Sequence, residues 1–275
     1  MRLGLGADIS VGYRQPLFGG VPLLLDTYTG AAAAYSLRQL RTGVTNVVRV
    51  REDSGNTEQD FTAEEITDGT LLAFVGAGNN GYVVTWYDQS GNGNDATQAT
   101  AANQPKIVDA GVLVEENGKP AIDFDGNKSL TESSVSLTQP FSYFGVRKYN
   151  NDGLNREVFV QQNNSDYSKL IDISFINNNA NFGSYINGDT ETYNQTLRYI
   201  LANGVSSQIQ DNGGTLYTDD GGTNGVNGLR IGYAILTSFF ETNVKGQEII
   251  IYNTDQSANR ASIQANINDH YSIYP

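Results

Sequence analysis

The chain has 275 residues, 39% of them hydrophobic, with 30 acidic against 17 basic side chains and a formal net charge of −13. A surface of that sign repels a phosphate backbone and an anionic bilayer alike, so neither nucleic acid nor a membrane is expected as a partner. With no cysteine and a single histidine, His270, disulfides, thiolate chemistry and a histidine-rich metal site are excluded, and no metal or cofactor is expected.

Residues 1–22 stand apart. Gly4, Gly6, Gly12, Gly19 and Gly20 interrupt them too often for a helix, and they match a signal peptide poorly. Leu3, Leu5, Ile9, Leu17 and Phe18 would be costly to leave in water, so the segment is read as an arm ordered against a neighbouring subunit rather than a loose leader. Nothing between 25 and 275 resembles a linker, and one domain is expected over 23–275.

In chain order, alanine-rich 30–41 predicts a short helix, with Tyr35, Leu37 and Leu40 as its apolar face. The run from Thr45 predicts a strand, with Val48 and Val50 inward and Arg49 and Arg51 on a charged side. Thr62 and Glu65 have the spacing of a capping box, and 70–74 predicts a second helical piece. A strand at 81–87 carries the chain's one tryptophan, Trp86, and leads into DQSGNGND at 88–95, the most turn-rich octet. Further short strands are predicted at 106–108, 112–115, 120–124, 141–147, 158–161, 170–175, 182–186, 197–201, 207–210, 229–234 and 248–252. Asn117-Gly118 marks a tight turn between two of them. Ile263, Ile267 and Tyr271 recur at a spacing of four and predict a closing helix. Strands this short, with turns this dense, imply an antiparallel sandwich.

Four stretches, YSLRQLRTG (35–43), VVRVREDSGNTEQDF (47–61), TWYDQSGNGNDATQ (85–98) and NQPKIVDAG (103–111), resemble the catalytic domain of the α-L-arabinofuranosidase B family. SIQANINDHYSIY (262–274) is similar to that family's closing helix. The resemblance implies an all-β, concanavalin A/laminin-G-like jelly-roll sandwich with short peripheral helices, spanning 23–275 behind the 1–22 arm. Similar domains also occur in bacteriophage particles behind short glycine-rich N-termini, which suits the first 22 residues.

A retaining glycosidase needs two carboxyl groups about 5–5.5 Å apart. The resemblance implies a Glu nucleophile and an Asp acid/base in the later half of the domain. That half offers Asp166, Asp172, Asp189, Glu191 and Glu241, none in the family's context, and the family's disulfides are missing, so no catalytic residue is carried over. The candidate ligand-binding set is Trp86, Tyr87, Asp88, Asn92, Asn94 and Asp95. The aromatic pair offers either a stacking face for a sugar or core packing. The Asp and Asn oxygens either suit Ca²⁺ or hold the turn by bonding to backbone. Asp123 with Asp125, and Asp219 with Asp220, are further carboxylate pairs, and 220–225 lacks the features of a phosphate loop. Arg38, Arg41, Arg49 and Arg51 are read as a solvated face paired with Glu52, Asp53 or Asp60, and His270 as a capping or surface residue.

The expected function is a virion structural protein (decoration, fibre or tail-associated), docked through its arm on neighbouring subunits, with cell-surface polysaccharide as a further partner and a homo-oligomer or larger assembly as its state. Two alternatives stand beside it. One is a secreted, extracellular carbohydrate-binding module; the other is an arabinofuranosidase-like retaining glycoside hydrolase.

Overall fold

A computed structural model of the chain describes residues 22–149, 158–162, 170–173, 194–223, 225–232 and 243–275, with backbone only for 158–162 and 170–173. The first half runs α1 (Leu24–Thr27), β1 (Ala31–Ser36), β2 (Val48–Glu52), β3 (Glu58–Phe61), α2 (Ala63–Thr67), α3 (Thr70–Val75), β4 (Gly81–Trp86) and β5 (Ala96–Thr97). Next come β6 (Lys106–Asp109), β7 (Val112–Leu113), β8 (Glu115–Glu116), β9 (Lys119–Pro120), β10 (Ile122–Asp123), β11 (Ser129–Leu137) and β12 (Phe141–Tyr149). The second half holds β13 (Val158–Gln162), β14 (Leu170–Ile173), β15 (Thr196–Ala202), β16 (Ser207–Asp211), β17 (Tyr217–Asp219), β18 (Val226–Gly232), β19 (Val244–Tyr252) and α4 (Arg260–Tyr271).

Among the described residues the named strands pair antiparallel, in two layers. One layer runs β1-β19-β12-β15-β16-β17. The other runs β3-β2-β4-β5-β11-β18-β13-β14. At one end β10 pairs with both β19 and β6 and so ties the layers together. The expected jelly-roll sandwich with short peripheral helices is what the chain forms.

Two cores explain the residue pattern of the first layer. Phe141, Tyr143, Ile249 and Ile251 face Val48, Val50, Val83, Leu130 and Ile231 of the other layer. Phe144, Val146, Ile250 and Tyr252, pointing the opposite way, pack under Leu24, Leu25, Ile263, Ile267 and Tyr271 of α1 and α4. A strand covered on both faces has no reason to alternate apolar and polar residues, hence the unbroken apolar end of β19. One extra residue, Gln247, bulges out of β19 against β12 and reverses the parity, so Val244 faces inward as Ile249 does.

Residues 31–36 are a strand, not the helix that their alanines predict. Ala33 and Ala34 are both fully buried, on opposite faces of β1, and each is buried against a different core. Small side chains let a strand lie between helix and sheet, and pairing with β19 outweighs the alanine helix preference. Arg51 likewise departs from the charged side assigned to it. It is buried, lies 4.9 Å from the Tyr82 ring and donates to Gln104 and Asn56. The Thr62–Glu65 capping box, the short helix α3, the Asn117-Gly118 turn (φ 51° and 67°) and the closing helix with Ile263, Ile267 and Tyr271 buried all form as expected. The strand predicted at 182–186 lies outside the described residues.

Candidate functional site

The octet at 88–95 closes the free edge of β1. Among the described residues that strand pairs with β19 on one side only, and its other edge would otherwise leave backbone groups without partners. Asp88 accepts the Ala34 N–H at 2.8 Å, and the Gln89 N–H donates to the Ala34 carbonyl at 2.7 Å. The Asn92 and Asn94 amides donate to the carbonyls of Ala31 and Ala32. Asp88 also accepts from the Ser90 N–H, the Ser90 hydroxyl and the Asn94 N–H, while Asp95 accepts the Asp88 N–H. Burial holds the Asp95 carboxyl above its ordinary pKa, against the lowering effect of that N–H. Asp88, Asn92, Asn94 and Asp95 are thus brought together as a turn that grips its neighbour strand.

Trp86 is fully buried in the inter-layer core, 5.8 Å from the Tyr35 ring, so neither of its faces is open to a sugar. This corrects its place in the ligand-binding set: the Val83, Trp86 and Ala96 side chains all point into that core. Tyr87 is half-buried, and its hydroxyl donates to Asp60, which also pairs with Arg49 at 2.6 Å.

A cleft of about 490 Å³ opens elsewhere, between the last turn of α4, the β8–β9 hairpin, the segment after β1, and α2. Its floor is a buried ion pair. Glu248, with a side chain 1% exposed, receives Arg38 at 2.7 and 2.9 Å, the Ser36 hydroxyl at 2.8 Å and the Tyr271 hydroxyl at 3.2 Å. Burial works against the Arg38 charge, but Glu248 more than offsets it, and the guanidinium is held in its charged form. Burial, then Glu248, raises the Tyr271 hydroxyl well above its ordinary pKa. Asn266 accepts two further Arg38 N–H groups, both at 3.1 Å.

Three of the cleft's four walls are fastened from behind. Gln89, fully buried beside Asp88, donates to the carbonyls of Ser36 and Arg38 and accepts the Leu40 N–H at 2.7 Å, which sets the path of the chain after β1. The bulged Gln247 donates to the carbonyls of Glu116, Lys119 and Pro120, holding the hairpin. Asn117 at the hairpin tip donates to the Tyr271 carbonyl at 2.8 Å. His270 stands edge-on to Tyr271, 4.6 Å between ring centroids. Burial, then the positive charge of Arg38, lowers the imidazole pKa to about 4, so it is neutral near pH 7.

The sequence reading missed this cleft. Arg38 pairs with Glu248 instead of Glu52 or Asp53, because Glu52 is spent on the Ser54, Gly55 and Thr57 N–H groups and Asp53 on Asn80. Only the Arg49–Asp60 pair is the one expected. A third polar cluster lies inside the sandwich, where Arg198 binds Asp211 at 2.7 and 2.9 Å and Arg147 lies over Tyr149. Burial alone would raise the Asp211 pKa, but the two guanidiniums outweigh it and keep it ionised, which does not suit a general acid. Asp123 is the opposite case, pushed up by burial and then by Asp125. Asp219 and Asp220 lie on the exposed β17 edge and the turn after it. Asp166, Asp189, Glu191, Glu241 and the Asp172 side chain lie outside the described residues.

No protein-family model matches the sequence, and no curated protein matches it. Solved structures do match the fold. A GH54 α-L-arabinofuranosidase soaked with a cyclic sulfate inhibitor aligns with a TM-score of 0.62 over 92% of this chain at 15% identity. A mutant of a GH54 α-L-arabinofuranosidase soaked with 4-nitrophenyl α-L-arabinofuranoside gives 0.64 over 92% at 16% identity. This chain shares the arabinofuranosidase jelly roll. An arabinofuranosidase complexed with arabinofuranosyl-α-1,2-xylobiose aligns at 0.56 over 89% of this chain with 14% identity. The arabinofuranosidase-type sandwich is therefore nearly the whole of this chain, which spans only 65%, 65% and 64% of those three enzymes. At such identities the likeness is one of fold.

Proposed function

We propose that the chain is a carbohydrate-binding sandwich of the arabinofuranosidase type, acting outside the cell or on a particle surface. The observation that carries this is the likeness to carbohydrate-active arabinofuranosidases over 92% of the chain. A rigid double-layer frame that exposes several loops suits recognition of a glycan, and the finer choice between binding and hydrolysis belongs to the site rather than the fold. Hydrolysis draws on the same likeness, since the matching structures are glycosidases.

The test uses the full chain against a panel of neutral pentose and hexose oligosaccharides by calorimetry, with 4-nitrophenyl α-L-arabinofuranoside as a chromogenic substrate. Heat of binding without nitrophenol release is the expected result. Release would make the chain a hydrolase, and neither heat nor release would overturn the proposal. The assembly reading, with residues 1–22 docking on neighbouring virion subunits and a homo-oligomeric state, is supported by the glycine-interrupted apolar N-terminus alone. None of the three similar structures is a particle protein. A mass by light scattering on the full chain and on a chain starting at Leu23 tests it: an oligomer lost with the arm supports that reading, and a monomer in both overturns it.

A further inference from the structure

The cleft between α4 and the β8–β9 hairpin combines three properties. Its volume, about 490 Å³, lies within the roughly 300–1,000 Å³ range of small-molecule sites. The three walls other than α2 are preformed by the Gln89, Gln247 and Asn117 hydrogen bonds, so little ordering of them would accompany binding. And it presents uncommitted polar groups: among the described residues, the His270 ring, the Lys119 ammonium and the Glu64 and Glu115 carboxylates have no hydrogen-bond or ion-pair partner.

The charges in the cleft decide the class of ligand. Arg38, which has the planar fork suited to a carboxylate or phosphate, spends four of its five N–H groups on Glu248 and Asn266, and its charge is balanced by Glu248. What remains is Lys119 against Glu64 and Glu115, an excess of negative charge that repels an anion. A neutral imidazole donates through one nitrogen and accepts through the other, and carboxylates only accept. Hydroxyl groups, each both donor and acceptor, complement that set, while Ala63 and Pro120 offer apolar surface to C–H faces. We infer that this cleft is a subsite for one neutral saccharide unit, held by Lys119, Glu64, Glu115 and His270. The inference rests on the carbohydrate-binding reading above.

His270 supplies a direct probe, because the chain has one histidine and its imidazole resonances need no assignment among others. The full chain is titrated with arabinofuranosyl-xylobiose, xylobiose, maltotriose and, as the anionic control, trigalacturonate, by calorimetry and by imidazole NMR in parallel. The same titrations are run on the Lys119→Met, Glu64→Gln double variant. Both side chains lack partners among the described residues, so folding should be retained, and a melting curve checks this. The expected result is binding of at least one neutral sugar, movement of the His270 resonances on binding, affinity in the double variant about tenfold weaker or more, and no binding of trigalacturonate. Binding of a neutral sugar with His270 unmoved and the double variant unaffected would overturn the subsite and leave the carbohydrate-binding reading standing. Binding of trigalacturonate that moves His270 would overturn the neutral class. No binding of any sugar would overturn both.

Discussion

In the 88–95 loop the polar atoms are aimed at the protein's own backbone. Asp88 holds Ala34, Ser90 and Asn94, and Asn92 and Asn94 hold Ala31 and Ala32. In the cleft under α4 the polar atoms are split. A buried layer of Arg38, Glu248, Ser36 and Tyr271 satisfies itself, and an outer layer of His270, Lys119, Glu64 and Glu115 faces open space. A dense local run of Asp, Asn and Gly is what a chain needs to turn sharply and cap an edge. A cleft needs walls from remote segments, and here they come from residues near 38, 64, 119 and 270. Gln89 connects the two regions, since the loop that grips β1 also sets the cleft floor.

The largest expected effect lies in the cleft floor. Arg38→Met keeps the aliphatic stem but leaves Glu248 charged and buried, and denaturant unfolding should show a loss of about 3–5 kcal/mol. A loss below about 1 kcal/mol would mean that the pair contributes little. Next comes Asp88→Ala, which removes the acceptor for Ala34, Ser90 and Asn94 together. About 3 kcal/mol should be lost, with faster amide exchange along β1. If only ligand binding changed, the loop would be a site rather than a clamp.

Gly91→Ala is a finer probe of the same clamp. Gly91 has φ +93°, and a Cβ there would lie 2.0 Å from Arg41 Nη1, which donates to the Ser90 carbonyl at 2.6 Å. Arg41 can swing aside, so the expected cost is about 2 kcal/mol, mostly backbone strain plus the lost hydrogen bond. Differential scanning calorimetry reads it as a lower Tm.

The smallest effect is the pH dependence of His270. Its pKa is about 4 in the folded chain against the ordinary histidine value of 6.5. Between those values the unfolded chain binds more protons, so stability falls as pH drops from 6.5 toward 4 and is complete above 6.5. With its partly exposed edge screened by solvent, the contribution is about 1–2 kcal/mol. His270→Gln should flatten unfolding free energy across that window, and a curve unchanged by the substitution would contradict the assigned environment.

Where side-chain periodicity meets a single face, the sequence reading holds: α4 with Ile263, Ile267 and Tyr271, the Thr62–Glu65 cap and the Asn117-Gly118 turn each depend on contacts within a few residues. It fails at 31–36, where alanine composition points to a helix and burial on both faces makes a strand. At Trp86 it leaves stacking face and core both open, because alternation along β4 does not reveal which side the second layer covers. Arg38 was legible as a cation but not as a buried one, since its partner Glu248 is 210 residues away.

The sequence by itself determined the sandwich class, the negative surface, the turns and the closing helix, because these rest on composition and on hydrogen bonds between near neighbours. Only the tertiary structure decided that β1 is a strand, that the 88–95 octet serves as its edge clamp, and that His270, Lys119 and Glu64 border one cleft. Those outcomes depend on which distant segment lies against which. The β19 bulge at Gln247 makes the point: one unpaired residue re-aims an amide at the β8–β9 hairpin, a contact that spans about 130 residues of chain and has no local signature.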